Sequence, residues 1–229
     1  MLFKGTIGSQ LAGSIGGITA SHNKGGTYFR ARRTPTNPNS AFQMIVRGAV
    51  STLSNRWVSV LTVAQRNEWE TYAGNVPRPN KVGDLVLLSG INHYVRCNTP
   101  RIQSVSPVVD NAPTVFTVGS FTTVTATASA ATDLISVSFT NSDSWATATG
   151  GFLLVFCGAP QNGAVNFFKG PYRFAAKASG AVVPPTSPLI IVNPFGNMVL
   201  NQKVFLRIAA SQVDGRYSQA QFLPLIVAA

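Results

Sequence analysis

Acidic side chains are scarce in this sequence: seven Asp and Glu among 229 residues, beside two histidines and two cysteines. Acid–base work on a substrate needs paired carboxylates, or a histidine with an orienting partner. Glu68 and Glu70 stand two apart on an expected helix, so they point in different directions and read as a solvated face. His22 lies beside an expected turn and His93 in a short helix, and each reads as a surface or core-edge residue. The expectation is therefore a protein that is not an enzyme, with no cofactor, no metal and no small-molecule substrate. Cys97 and Cys157 offer neither a disulfide framework nor metal-ligand spacing. Cys157, inside the apolar run from Phe152 to Phe156, reads as a small buried hydrophobe. No apolar run reaches the roughly 18 residues that span a bilayer, and Met1 to Ala20 has no continuous apolar stretch of the kind a signal peptide carries. Synthesis in a cytoplasm and no membrane partner are expected.

Charge of either sign is low, 11% of residues against 45% apolar, where an ordinary soluble domain is about a quarter charged. Much of the surface must then be neutral, which suits a chain packed against neighbours. The net charge of +11 is also uneven. Residues 1–105 carry 12 Lys or Arg and 3 acids, a balance of +9, and residues 106–229 carry 6 and 4, a balance of +2. A positive field of this kind suits nucleic acid or an acidic protein surface.

What is present is organised around residues 26–98. Residues 1–34 are rich in glycine (Gly5, Gly8, Gly13, Gly16, Gly17, Gly25, Gly26) and form an expected basic arm, with a hairpin of Ile18 to His22 and Thr27 to Arg33. Alternation places Tyr28, Arg30 and Arg32 on one side, with Phe29, Ala31 and Arg33 on the other. Guanidinium groups pair with phosphates or carboxylates and aromatic rings stack on bases, so Tyr28, Phe29, Arg30, Arg32, Arg33 and Arg47 are the candidate contacts to a neighbouring subunit or a polyanion. A neighbouring subunit or partner surface is expected to hold this arm in place. Gly13, Ser14, Ile15, Gly16 and Gly17 invite a phosphate-loop reading but lack the Gly-Lys-Ser/Thr ending of that motif.

Pro35 and Pro38 set a turn that keeps the chain out of helix. Ser40 and Gln43 then have capping-box spacing for a helix whose face is Phe42, Ile45, Val46, Ala49, Val50, Leu53 and Trp57. Thr62 and Gln65 repeat the signal for a second helix ending near Gly74, in which Trp69 and Ala73 share a face. Ser89 caps an expected third helix carrying Ile91, Tyr94, Val95 and Asn98, stopped by Pro100. Phe42, Ile45, Val46, Trp57, Trp69 and Tyr94 are the expected structural core of this unit.

After Val105 the chain becomes strand-like. Residues 114–128, 134–140, 151–157, 166–177, 189–192, 204–211 and 220–227 are β-branched, aromatic and alternating, with Gly, Pro, Asn and Asp between them. The expected fold class is α+β: a basic β-hairpin arm (1–34), a small helical unit (35–104), and an all-β immunoglobulin-like or fibronectin type III-like sandwich (105–229), with a small jelly roll as the rival. The stretch from Val204 to Ser218, turning at Asp214 and Gly215, resembles the last hairpin of a fibronectin type III module.

A chain of spaced landmarks runs through the first 101 residues: Gly26 to Arg30, Arg33, Pro35, Asn37, Pro38, Gln43, Arg47, Leu53 to Trp57, Leu61, Thr62, Gln65, Arg66, Trp69, Ala73, Leu88 to Asn92 and Asn98. It resembles a family of small proteins encoded in phage and prophage structural regions. The resemblance implies a virion structural component of capsid or tail, assembled in the host cytoplasm. Its partners would be copies of itself in a symmetric assembly and other virion proteins, with nucleic acid as the alternative partner.

Overall fold

The computed structural model describes residues 2–3, 12–23, 26–34, 36–37, 39–79 and 84–229. Gly5 and Gly8 of the arm, the hairpin turn through Lys24 and Gly25, and the turn-setting Pro35 and Pro38 lie outside the described residues. Packing divides the chain into two compact units, Met1–Ser40 and Ala41–Ala229. The expected boundary after residue 104 is corrected: helices and sheet share one core and belong to one unit.

The first unit is a four-stranded antiparallel sheet of β1 (Leu2–Phe3), β2 (Gly13–Ile15), β3 (Ile18–Asn23) and β4 (Gly26–Ala31), in the order β1-β4-β3-β2. β3 and β4 are the expected hairpin, paired from Ile18 opposite Ala31 to Asn23 opposite Gly26. The strands on either side are additions to it. The β2–β3 turn needs a left-handed residue, and Gly16 supplies it with φ 57°.

The second unit opens with α1 (Ala41–Ser59), α2 (Val63–Asn75) and α3 (Gly90–Gln103), with a two-residue pairing of β5 (Arg78–Pro79) and β6 (Leu85–Val86) between the last two. The capping box of α2 forms: the Gln65 N–H donates to Thr62 Oγ1 at 3.2 Å and the Thr62 N–H to Gln65 Oε1 at 2.9 Å. That helix runs through Gly74 and is capped at Val76. The box expected at Ser40 is absent, because Gln43 Oε1 is enclosed with no hydrogen-bond partner. Ser89 occupies the N-cap of α3 without a side-chain bond, and Glu70 Oε2 accepts the Gly90 N–H at 2.8 Å instead. Pro100 does not stop α3. Arg101, the next residue, is pinned inside the body and holds the final turn in helix.

Seven strands follow: β7 (Thr125–Ser129), β8 (Leu134–Ser138), β9 (Phe152–Gly158), β10 (Tyr172–Ser179), β11 (Leu189–Val192), β12 (Lys203–Ser211) and β13 (Gln221–Ala228). They make one sheet in the order β10-β9-β12-β13-β7-β8-β11, nearly closed into a barrel where β10 approaches β11. Every pairing is antiparallel except β13 with β7. The α+β class stands, with three helices and a mostly β body.

β9 explains how the two halves join. Successive strand residues face opposite sides, and all seven of its residues are buried. Leu153, Val155 and Cys157 enter the barrel interior with Val137, Trp145, Leu206 and Ile208. Phe152, Leu154 and Phe156 turn outward against Leu53, Trp57, Trp69, Tyr72 and Tyr94 of the helices. The helical layer therefore covers a sheet face that would otherwise lie bare. Trp57, Trp69 and Tyr94 are buried together, Tyr94 lying 5.5 Å from each indole.

Phe42, Ile45 and Val46 are not core residues, which corrects the reading from periodicity. They are 42%, 52% and 43% exposed, and burial along α1 starts only at Ala49 and continues through Leu53 and Trp57. Their spacing puts them on the buried stripe, but the packing of this unit covers only the later turns of the helix.

Candidate assembly surfaces

Strand register makes the N-terminal sheet two-faced. Ser14 pairs with Thr19 and Thr19 with Arg30 across the strands, and Ser14 Oγ lies 2.8 Å from Thr19 Oγ1. The opposite face carries Gly13, Ile15, Ile18, Ala20 and Phe29, which with Ala12 and Ser14 border an open apolar depression of about 690 Å³. Ile15 is 90% exposed there and Ile18 is 55% exposed. A sheet hydrophobic on one face ordinarily buries that face against another element.

The candidate contact residues separate accordingly. Tyr28 and Arg30 share the polar face, Phe29 belongs to the apolar one, and Arg32 and Arg33 follow the end of β4, with the Arg32 N–H donating to Gly17 O at 2.8 Å. Arg30, Arg32 and Arg33 are all exposed. Arg30 and Arg33 border a second depression of about 540 Å³ with Thr19 and Ala31. Arg47 stands on α1 in the other unit and is exposed.

The start of α1 is a second apolar surface. Phe42, Met44, Ile45, Val46 and Val50 are each at least 40% exposed over little more than two turns. Only Phe42 is tied down: the Arg173 guanidinium lies 4.0 Å from its ring centre and 3.9 Å from that of Phe195.

Within the second unit the polar groups are spent on holding the fold. Asp110 accepts from Arg56 at 2.8 and 2.6 Å and from the Tyr94 hydroxyl at 3.0 Å, and its carbonyl accepts the Trp69 indole N–H at 2.8 Å. The residue thus ties all three helices to one point, and the Arg56 hydrogen bonds hold its carboxyl below the usual range. Asp214 accepts from Arg216 at 2.6 Å, Asp143 from Thr122 and the Trp145 indole, and Asp133 from the Met198 N–H. The buried Arg101 guanidinium has no carboxylate among its bonds: it donates to Pro107 O, Ser211 Oγ, Gln212 O and Gly150 O. With Lys177, which donates to Ser104 O and Ser106 Oγ, it also brackets the Phe152 ring. Periodicity carries no signal for these two residues, because most of their partners are backbone carbonyls and hydroxyls far away in sequence.

The chain has no acidic residue before Glu68, so Arg30, Arg32 and Arg33 have no counter-charge within their own unit. His93, by contrast, is a core residue and not a surface one. It is 2% exposed, edge-on to Tyr72 at 5.3 Å, and its pKa is pushed down to about 4, first by burial and then by Arg78 and Arg96. Among the described residues no group of three or more His, Cys, Asp or Glu is placed to hold a metal ion, and no helix is long and apolar enough to cross a membrane. The chain matches no protein-family model, no curated protein and no solved structure.

Proposed function

We propose that this chain is a structural subunit of a bacterial virus particle and works through contacts with copies of itself and with other virion proteins. The observation that carries the proposal is the run Phe42, Ile45, Val46 and Val50, left open on the same helix that buries Leu53 and Trp57. Exposed apolar surface of this extent marks an interaction site. The bare face of the N-terminal sheet supports the same reading, and so does the low charge. The near-closed sheet of residues 125–228 would be the module that packs on or projects from the particle, in the manner of immunoglobulin-like and fibronectin type III modules. Its β12–β13 hairpin, turning at Asp214 and Gly215, supports that kinship. Labelling the chain in infected cells and imaging purified particles tests the proposal. Ordered density or label at repeated positions is expected, and a chain abundant in the lysate but missing from particles overturns it.

A second reading is favoured by one observation, the Arg30, Arg32 and Arg33 cluster in a unit without acids. There the chain would coat or package nucleic acid. A salt titration separates the two, because phosphate-driven affinity falls steeply between low and physiological salt while a neutral protein interface changes little.

A further inference from the structure

The surface of the sheet around the start of β10 holds an aromatic pocket of about 440 Å³ lined by Phe167, Phe168, Tyr172, Phe205, Phe222 and Pro224. It is a built feature. Phe168 stacks on Phe205 at 5.3 Å and 17°, meets Tyr172 edge-on at 5.2 Å, and Tyr172 reaches Phe222 at 6.0 Å. Yet Phe167 is 79% and Phe222 60% exposed. The rim carries donors: Lys169, and Asn166, whose oxygen is already taken by Lys203 Nζ at 2.9 Å. An aromatic groove edged with donors is the chemistry that takes an extended polyproline II segment, whose exposed apolar side chains lie on the aromatics and whose unpaired carbonyls accept from the rim.

The same unit displays such a segment. Between β10 and β11 the chain reads Val182, Val183, Pro184, Pro185, with Val182 88% and Val183 82% exposed. Proline fixes its own φ and pushes the residue before it into the extended region. Charge also selects this stretch: no charged residue occurs from 178 to 202, so a copy of a chain carrying +11 can bring it to a lysine-edged pocket without like-charge repulsion, its carbonyls facing the ammonium groups. The loop cannot fill the pocket of its own chain. The pocket includes Tyr172, where β10 begins, and the loop follows Ser179, where it ends, about 23 Å away at strand rise.

We infer that the loop of residues 182–185 docks in the aromatic pocket of a second copy, joining copies head to tail. The inference rests on the reading of this chain as an assembling subunit. A contact made by different surfaces on its two sides propagates into a ring or a filament and does not stop at a dimer. One loop in one pocket buries much less than the roughly 800 Å² per partner of a stable interface, so each contact is weak and gains strength by repetition.

The test uses the full chain and a labelled peptide of residues 179–189. Saturable binding is expected, weakened at least about tenfold by Phe222→Ser and abolished in a peptide carrying Val182→Ser and Val183→Ser. All three side chains are exposed in the chain, so the corresponding protein variants keep the fold, which circular dichroism verifies. In sedimentation, Phe222→Ser chains and Val182→Ser/Val183→Ser chains each lose self-association, and their mixture forms one-to-one pairs and nothing larger. Peptide binding that ignores Phe222→Ser, no binding at millimolar peptide, or undiminished self-association of both variants overturns the inference. Absence of the chain from virus particles would sink the functional proposal and leave peptide binding as it is, so the two failures are distinguishable.

Discussion

Arg56 holds Asp110 through both carboxylate oxygens, at 2.8 and 2.6 Å, across 54 residues of sequence. The pair joins α1 to the segment after α3, and Tyr94 and Trp69 bond to the same Asp110. Asp110→Asn keeps the shape and removes the charge, and is expected to cost about 2 kcal/mol in chemical denaturation. The sign of its pH dependence follows from the lowered carboxyl pKa. The stabilisation is present above the ordinary aspartate pKa and lost as pH falls through the lower folded value. The variant should therefore show a shallower acid unfolding curve, and an unchanged curve would contradict the assigned role.

Gly90, at the start of α3, lies directly against the backbone of α2. A Cβ there would lie 2.7 Å from the Glu70 backbone nitrogen and 2.8 Å from the Trp69 carbonyl carbon, neither of which is a flexible side-chain end. Gly90→Ala is expected to destabilise by about 2 kcal/mol or more, although alanine is the better helix former. Thermal unfolding of Gly90→Ala beside Gly74→Ala checks this, since Gly74 has open space around it and should tolerate the change.

His93 is buried as the neutral ring, with Nε2 unpartnered and the hydrogen bond to the Val76 backbone too weak to offset burial. Its folded pKa, about 4, lies below the unfolded 6.5, so the unfolded chain binds more protons between those values. Stability from this residue is complete above about pH 6.5 and falls toward pH 4, by a total on the order of 2 to 3 kcal/mol. His93→Gln should flatten the stability curve between pH 6.5 and 4. An identical slope in parent and variant would refute the prediction.

The open stripe of α1 separates folding from association. Ile45→Asp is expected to leave the unfolding midpoint within about 0.5 kcal/mol of the parent, because the side chain is 52% exposed. The same change should lower incorporation into particles at least about tenfold, read by co-purification with virions.

The outcome for α1 and α2 shows which signals a sequence carries. Thr62 and Gln65 are three residues apart and satisfy each other's backbone, so the start of α2 is a local fact and legible as one. Phe42 and Leu53 belong to the same periodic stripe, but one is 42% exposed and the other fully buried, because burial depends on how far the partner extends. Pro100 reads as a stop signal, and the helix passes it because Arg101 is gripped by Ser211 and Gln212, more than a hundred residues away. Seven strands were legible from alternation and turn residues, but the first begins only at Thr125 rather than at 114, and the fourth at Tyr172 rather than at 166. β9 is apolar on both sides, Phe152 to Cys157, and the helices cover its outer face. Of the candidate contact residues, Arg30, Arg32 and Arg33 stand out in the sequence by their charge, and they are exposed. That Phe29 faces away from Arg30 follows from the strand period, whereas the aromatic pocket assembles from residues 166–169, 172, 205, 222 and 224 and has no linear trace.

β13 pairs with β12 on one side and, in parallel, with β7 on the other, some hundred residues upstream: Val227 sits beside Ala128. The sheet therefore has no half that can mature by itself, since residues 221–228 are the seam between strands β10-β9-β12 and strands β7-β8-β11. Long loops must close before that seam forms, which makes such topologies slow to fold. An interrupted chain ending before Gln221 would display two open sheet edges, and so would be marked out from finished subunits before any particle could take it in.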